Sequence, residues 1–182
     1  MLKHQNFVDS LSVSTGYLSR TAIKPSVCLE YSKTLYHHYA PALALLSTEV
    51  VLAVMVNTDL QWMGEQEMAS GSLVKHLLNP LGVFSTITAQ SPAGVMIVHN
   101  HPSGDCTPST IDRAITRHLA HEGNRHGIAV LDHMIIANND YYSFSDSGDS
   151  ELSPLSAQTS IVINAPNSHN YVFPDICCIH DF

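Results

Sequence analysis

Apolar residues along this chain fall into short blocks separated by turn-forming residues, and two of the blocks are continuous. Val50-Val51-Leu52-Ala53-Val54-Met55-Val56 and Ala93-Gly94-Val95-Met96-Ile97-Val98 each run without a charge. Their length and branched side chains predict strands buried on both faces. Residues 61–66 follow the first block across Asn57-Thr58-Asp59, so residues 49–56 and 61–66 are expected to pair as a hairpin. Elsewhere the spacing is helical. Leu29, Leu35, Ala40 and Leu45 give residues 25–46 helical character; the adjacent His37 and His38 cannot share one face of it and read as surface or groove histidines. Residues 80–89 are expected to form a short helix. Ile111, Ala114, Ile115 and Leu119 predict another from about 109 to 122. Short strands should then carry the chain to Phe144. Strands interleaved with two or three helices make a mixed α/β layered fold.

The length, 182 residues, suits one domain with a tail. Residues 1–22 read as an irregular or weakly helical leader. After Gly148 the composition turns Ser-rich around Pro154, and residues 150–160 read as a linker. The following tail has one apolar patch, Ile161-Val162-Ile163; a disordered end and a strand docked on the domain are both open.

Charge narrows the function. The formal net charge is −8 with only 8 Lys+Arg, which disfavours a general nucleic-acid surface, since that needs clustered cations. Arg113, Arg117 and Arg125 share one region, but Arg113 and Arg117, four apart, read as a solvated helix face. No apolar run reaches the ~18 residues of a membrane span, and no signal-type leader is evident, so a cytoplasmic protein without membrane contact is expected. The cysteines, Cys28, Cys106, Cys177 and Cys178, form no Cys-x-x-Cys, which argues against a zinc ribbon and against a disulfide framework.

The chemistry concentrates in His99-Asn100-His101-Pro102-Ser103-Gly104-Asp105 and Pro108-Ser109-Thr110-Ile111-Asp112. His99 and His101 lie two apart at a strand end, so both imidazoles face the same side. Pro102 and Gly104 make a turn. Asp112 falls in the first turn of the following helix, where a carboxylate is electrostatically favoured. Two imidazoles and one carboxylate leave a tetrahedral Zn2+ one open position, the arrangement of a catalytic site rather than a closed structural one. Taken alone, Ser109-x-x-Asp112 is an ordinary capping box, and His-x-His is weak in a chain with 12 histidines. The combination is what points to a metal. Cys106 lies in the same loop and reads as a bystander thiol. Glu49 opens the first apolar block; from the residues alone, a solvated junction and a site carboxylate are equally good readings.

With these residues the chain resembles the RadC-like JAB (JAMM/MPN) domain family. The family signature is an upstream Glu, His-x-His, seven residues, Ser, two residues and Asp, and His99, His101, Ser109 and Asp112 match that spacing. The match continues in Glu67-Met68-Ala69-Ser70-Gly71-Ser72-Leu73, in residues 127–136, which resemble a following strand pair, and in Tyr142-Ser143-Phe144. It spans residues 23–148, leaving 149–182 as linker and tail. The chain departs from it at Val56-Asn57, where members often have Leu-Asp. It departs again at Pro80-Leu81-Gly82, where they often have Pro-Arg-Glu, charges that could orient a substrate.

The resemblance implies a layered JAB/MPN (cytidine-deaminase-like) fold with a mixed central sheet flanked by helices. It also implies Zn2+ on His99, His101 and Asp112. It selects Glu49 as the general base that takes a proton from the metal's water, and Ser109 as the donor to the oxyanion. The implied activity is peptidase or isopeptidase-like amide hydrolysis, with a protein or peptide substrate. Two alternatives stand beside it: a DNA-repair-associated, nucleic-acid-processing role, and a non-catalytic binding module. His121-Glu122-Gly123-Asn124-Arg125-His126 is a decoy, because its second His comes five positions on rather than four and Gly123-Asn124 reads as a helix end. Asp132-His133, between two short strands, reads either as a brace for the site or as a plain strand-end pair.

Overall fold

The computed structural model describes residues 29, 32–78, 81–152, 162–164 and 170–172. The expected leader, most of the tail, Cys28, Cys177 and Cys178 lie outside the described residues. Helix α1 is Ser32–Leu43. Strands β1 (Val50–Val56) and β2 (Trp62–Ser70) follow, then a 3-10 turn Gly71–Leu78 and helix α2 (Leu81–Thr88). Next come β3 (Gly94–Asn100), α3 (Thr110–Arg125), β4 (Ala129–Ala137) and β5 (Asp140–Ser143). A 3-10 turn spans Ser150–Leu152, and β6 (Val162–Asn164) pairs with β7 (Asn170–Val172) as a separate two-stranded sheet.

The central sheet has the order β2-β1-β3-β4-β5. It is mixed: β3 and β4 run parallel, and the other neighbours are antiparallel. The two continuous apolar blocks form two of its three inner strands, β1 and β3, buried at every position. That explains why they lack the alternation of a half-exposed strand. Val51, Ala53 and Met55 pack on one face with Phe84 and Ile87 of α2 and Ile115 and Leu119 of α3. Val50, Leu52, Val54 and Val56 pack on the other with Leu35, Tyr39 and Leu43 of α1. His37 is exposed and His38 half-buried beside Tyr39.

Four expectations are corrected. The site helix runs three residues past 122, to Arg125, with Gly123 buried inside it. The hairpin partner β2 extends to Ser70 rather than stopping at 66. Asp149–Leu152 is not the start of a linker: Leu152 is buried, and Asp149 and Glu151 pair with Arg113, Glu151 also with Arg117. Those pairs neutralise two of the three arginines, and Arg125 pairs with Glu122. Finally, one nine-residue strand, β4, stands where a strand pair was expected. It carries a bulge, because Val95 pairs with Val130 while Met96 pairs with Asp132. The extra residue, Leu131, changes which positions face α3, so even-numbered Val130 and odd-numbered Ile135 share one core. His133, on the parity of Ile135, turns to the same side.

Candidate metal centre

His99 is the penultimate residue of β3 and His101 follows the strand's end. His99 shares the parity of Val95 and Ile97 and therefore faces α3. The turn after it is tight: the Gly104 N–H donates to the His101 carbonyl at 3.1 Å, and Gly104 has φ +85°. The chain then enters α3 at Ser109. Ser109 Oγ accepts the Asp112 N–H at 3.1 Å, and Asp112 Oδ2 accepts the Ser109 N–H at 2.7 Å. The capping box and the site are thus the same residues: the cap is what aims Asp112 back at the strand. Its bond uses a lone pair of Ser109 Oγ and leaves the hydroxyl proton available.

His99 Nε2 and His101 Nε2 are 2.9 Å apart, His99 Nε2 and Asp112 Oδ1 3.5 Å, and His101 Nε2 and Asp112 Oδ2 3.4 Å. Ligand atoms around a tetrahedral zinc stand roughly 3.3 Å from one another. The donor set and spacing therefore fit zinc. Glu49 completes the group, with one atom from each of the four residues lying within 4.8 Å of the others. Glu49 precedes β1, and β1 pairs with β3 so that Val51 lies opposite His99. Cys106 is outside the group and packs against the apolar core, and burial raises its thiol.

Sequence reasoning missed the residue that fixes Glu49. Asn100, 1% exposed, accepts the Val50 N–H at 2.8 Å and donates to the Thr48 carbonyl at 3.1 Å, gripping the backbone on both sides of Glu49. The Gly71 N–H donates to the Glu49 carbonyl at 2.7 Å. The only signal for Asn100 was its place between the two histidines.

Electrostatics separate the members. Burial disfavours the charged form of Asp112, but hydrogen bonds from His101 and Ser109 outweigh it and hold the carboxyl well below the usual range. Burial, then neighbouring His133, depress His99. The bond to Asp112 raises His101, whose Nδ1 donates to the Asp105 carbonyl at 2.7 Å. Burial and the Asp112 charge raise Glu49. A cleft of about 150 Å³ is lined by Glu49, His101, Ser109 and Asp112 together with Gly71, Ser72, Val74 and Ile111. Ile111 is 41% exposed, one of the few large apolar side chains left open among the described residues.

The Asp132-His133 pair divides. The His133 ring lies against the site, 2.7 Å from His99 Nδ1. Asp132 instead accepts from Ser143 Oγ, the Ser145 N–H and the His133 N–H. Burial pushes its carboxyl from the ordinary 3.8 up to about 6, against these bonds and aided by the Asp146 charge. The folded protein then binds this proton more tightly than the unfolded chain. Stability should therefore fall as pH rises from about 4 to 6, by up to about 3 kcal/mol from this group. Urea unfolding of Asp132→Asn and wild type across that window should show the variant gaining relative to wild type. Parallel curves would refute it.

Comparison with known proteins covers the part of the chain that carries these residues. The pattern of the RadC-like JAB domain matches residues 29–149. A UPF0758 protein of Thermotoga maritima is 36% identical over 113 residues, 62% of this chain and 51% of its own. One from Symbiobacterium thermophilum is 38% identical over 116 residues, 64% and 50%. One from Listeria monocytogenes is 41% identical over 108 residues, 59% and 48%. The chain spans about half the length of the curated relatives it matches.

Proposed function

Since the chain belongs to the RadC-like JAB domain family, we propose that it is a zinc-dependent hydrolase acting on amide bonds of a protein or peptide, with His99, His101 and Asp112 holding the metal. The observation that carries this reading is the carboxylate of Glu49, held beside the three ligand residues by a backbone clamped at Asn100 and Gly71. Bound zinc would supply Lewis acidity, bringing a water toward hydroxide near neutral pH.

The protein's own groups do the rest. Glu49 accepts a proton from the attacking water and returns it to the departing amine nitrogen as the C–N bond breaks. Ser109, its oxygen fixed by the helix cap, donates a hydrogen bond to the carbonyl oxygen as that atom gains charge. Ile111 and Val74 offer an apolar wall to the flanking part of the substrate.

Nucleic-acid processing is disfavoured by charge. The described side chains lining the cleft include two carboxylates and no Lys or Arg, and Arg113 and Arg117 are bound to Asp149 and Glu151. A phosphodiester would meet net negative charge there. A silent binding module is disfavoured by the complete ligand set and the adjacent carboxylate. A cytoplasmic setting suits the reading; among the described residues no helix is long and apolar enough to cross a membrane.

The test is metal content together with hydrolysis of peptide, isopeptide and DNA substrates, before and after chelation. The expected result is one zinc per chain and amide cleavage lost on chelation and regained with zinc. Zinc-independent cleavage, or a chain that takes up no zinc, would overturn the proposal.

A further inference from the structure

The geometry points to His133 and Thr116 as positioning residues that set the tautomer of His99 and so prepare its Nε2 for a cation. The inference rests on the metal-site part of the reading above and not on the hydrolysis. Three contacts run in series behind the site. His99 Nδ1 lies 2.7 Å from His133 Nε2, His133 Nδ1 lies 2.6 Å from Thr116 Oγ1, and Thr116 Oγ1 lies 2.7 Å from the carbonyl oxygen of Asp112. His99, His133 and Thr116 are each at most 1% exposed, so no bulk water competes for these bonds.

The direction of the series follows from its far end. A carbonyl only accepts, so the single proton of the Thr116 hydroxyl goes to Asp112. The Thr116 oxygen must then accept from His133 Nδ1. The His133 ring stacks on Phe144 with centroids 5.1 Å apart and among the described residues pairs with no carboxylate, so it is neutral and carries one N–H. With that proton on Nδ1, its Nε2 must accept, and His99 Nδ1 must donate. The remaining nitrogen, His99 Nε2, therefore keeps its lone pair, and it is the atom facing His101 and Asp112. A threonine hydroxyl bonded four residues back is ordinary in a helix. What makes it more here is the histidine it orients. His101 Nδ1 is fixed by a simpler route, donating to the Asp105 carbonyl.

The series also joins two ligands from different elements, His99 on β3 and Asp112 on α3, through His133 on β4. Orienting partners of this kind typically change metal affinity by about 10–100-fold when removed.

The experiment has two parts. Imidazole 15N–1H correlation NMR on metal-free wild-type protein should find His99 and His133 both protonated on Nδ1. Zinc affinity, measured by competition with a chromophoric chelator, should fall about 10–100-fold in Thr116→Val and return near the wild-type value in Thr116→Ser. A His99 proton on Nε2 in the metal-free protein would overturn the inference. So would zinc binding in Thr116→Val as tight as in wild type. The NMR result needs no variant to fold and no zinc to bind. Absence of hydrolysis alongside both expected results would sink the hydrolase and leave the relay standing.

Discussion

Replacing Glu49 with glutamine is expected to slow amide hydrolysis by about 10²–10⁴-fold while the protein keeps its zinc. Glutamine has nearly the shape of glutamate and can still hydrogen-bond, but it cannot accept a proton at working pH. The substitution also leaves the local backbone alone, because the clamps on either side come from the side chain of Asn100 and the N–H of Gly71 rather than from the Glu49 carboxylate. Metal retention is the informative control. His99, His101 and Asp112 remain in Glu49→Gln, so a base that is not a ligand can be lost without losing the ion. The loss should appear in kcat, with KM little altered. Zinc content falling together with activity would make Glu49 a fourth ligand. Full turnover with zinc in place would remove it from the chemistry.

What could be read in advance, and what could not, follows from how far apart the cooperating residues stand in the chain. His99, His101 and Asp112 are close in sequence, and each is tied to an element with a clear period: a continuous apolar strand, then a helix with a cap. Metal ligation restricts the residue types further, so the spacing was enough to bring them forward as candidates. Glu49 is fifty residues upstream of His99 and has no local pattern of its own; its neighbours in the fold arise from β1 pairing with β3. Family resemblance selected it where periodicity could not. Asn100, Thr116 and His133 act only through contacts between elements. Asn100 sits between the two histidines yet turns to the opposite side, toward Thr48 and Val50. His133 reaches the site because Leu131 bulges out of β4, an irregularity within one strand where the resemblance led to the expectation of two.

Gly123 shows the same limit and yields a large expected change in stability. In sequence, Gly123-Asn124 looks like a helix terminus; in the fold, α3 continues to Arg125 and His126 caps it, its N–H donating to the Glu122 and Gly123 carbonyls. On helix propensity alone, Gly123→Ala should stabilise by about 1 kcal/mol. The surroundings reverse the sign. A Cβ at Gly123 would lie 2.6 Å from the backbone oxygen of Ile128, 3.1 Å from Val130 Cγ2 and 3.3 Å from Phe84 Cε1. The first contact is with backbone already engaged in turning the chain, since the Ile128 N–H donates to the Gly123 carbonyl at 2.8 Å. Relief therefore requires the end of α3 to move off β4, disturbing the His126 ring stacked on Phe84. Overpacking of this kind costs about 1–3 kcal/mol, occasionally more. Gly123→Ala is thus expected to lower the urea midpoint and to reduce Tm by roughly 2–4 °C per kcal/mol lost. Zinc affinity should change little, because the proposed ligand Asp112 lies at the other end of the helix. A variant as stable as wild type would mean that the close approach of α3 to Ile128 is not a feature of the folded protein. The glycine would then mark a helix end, as its sequence suggests.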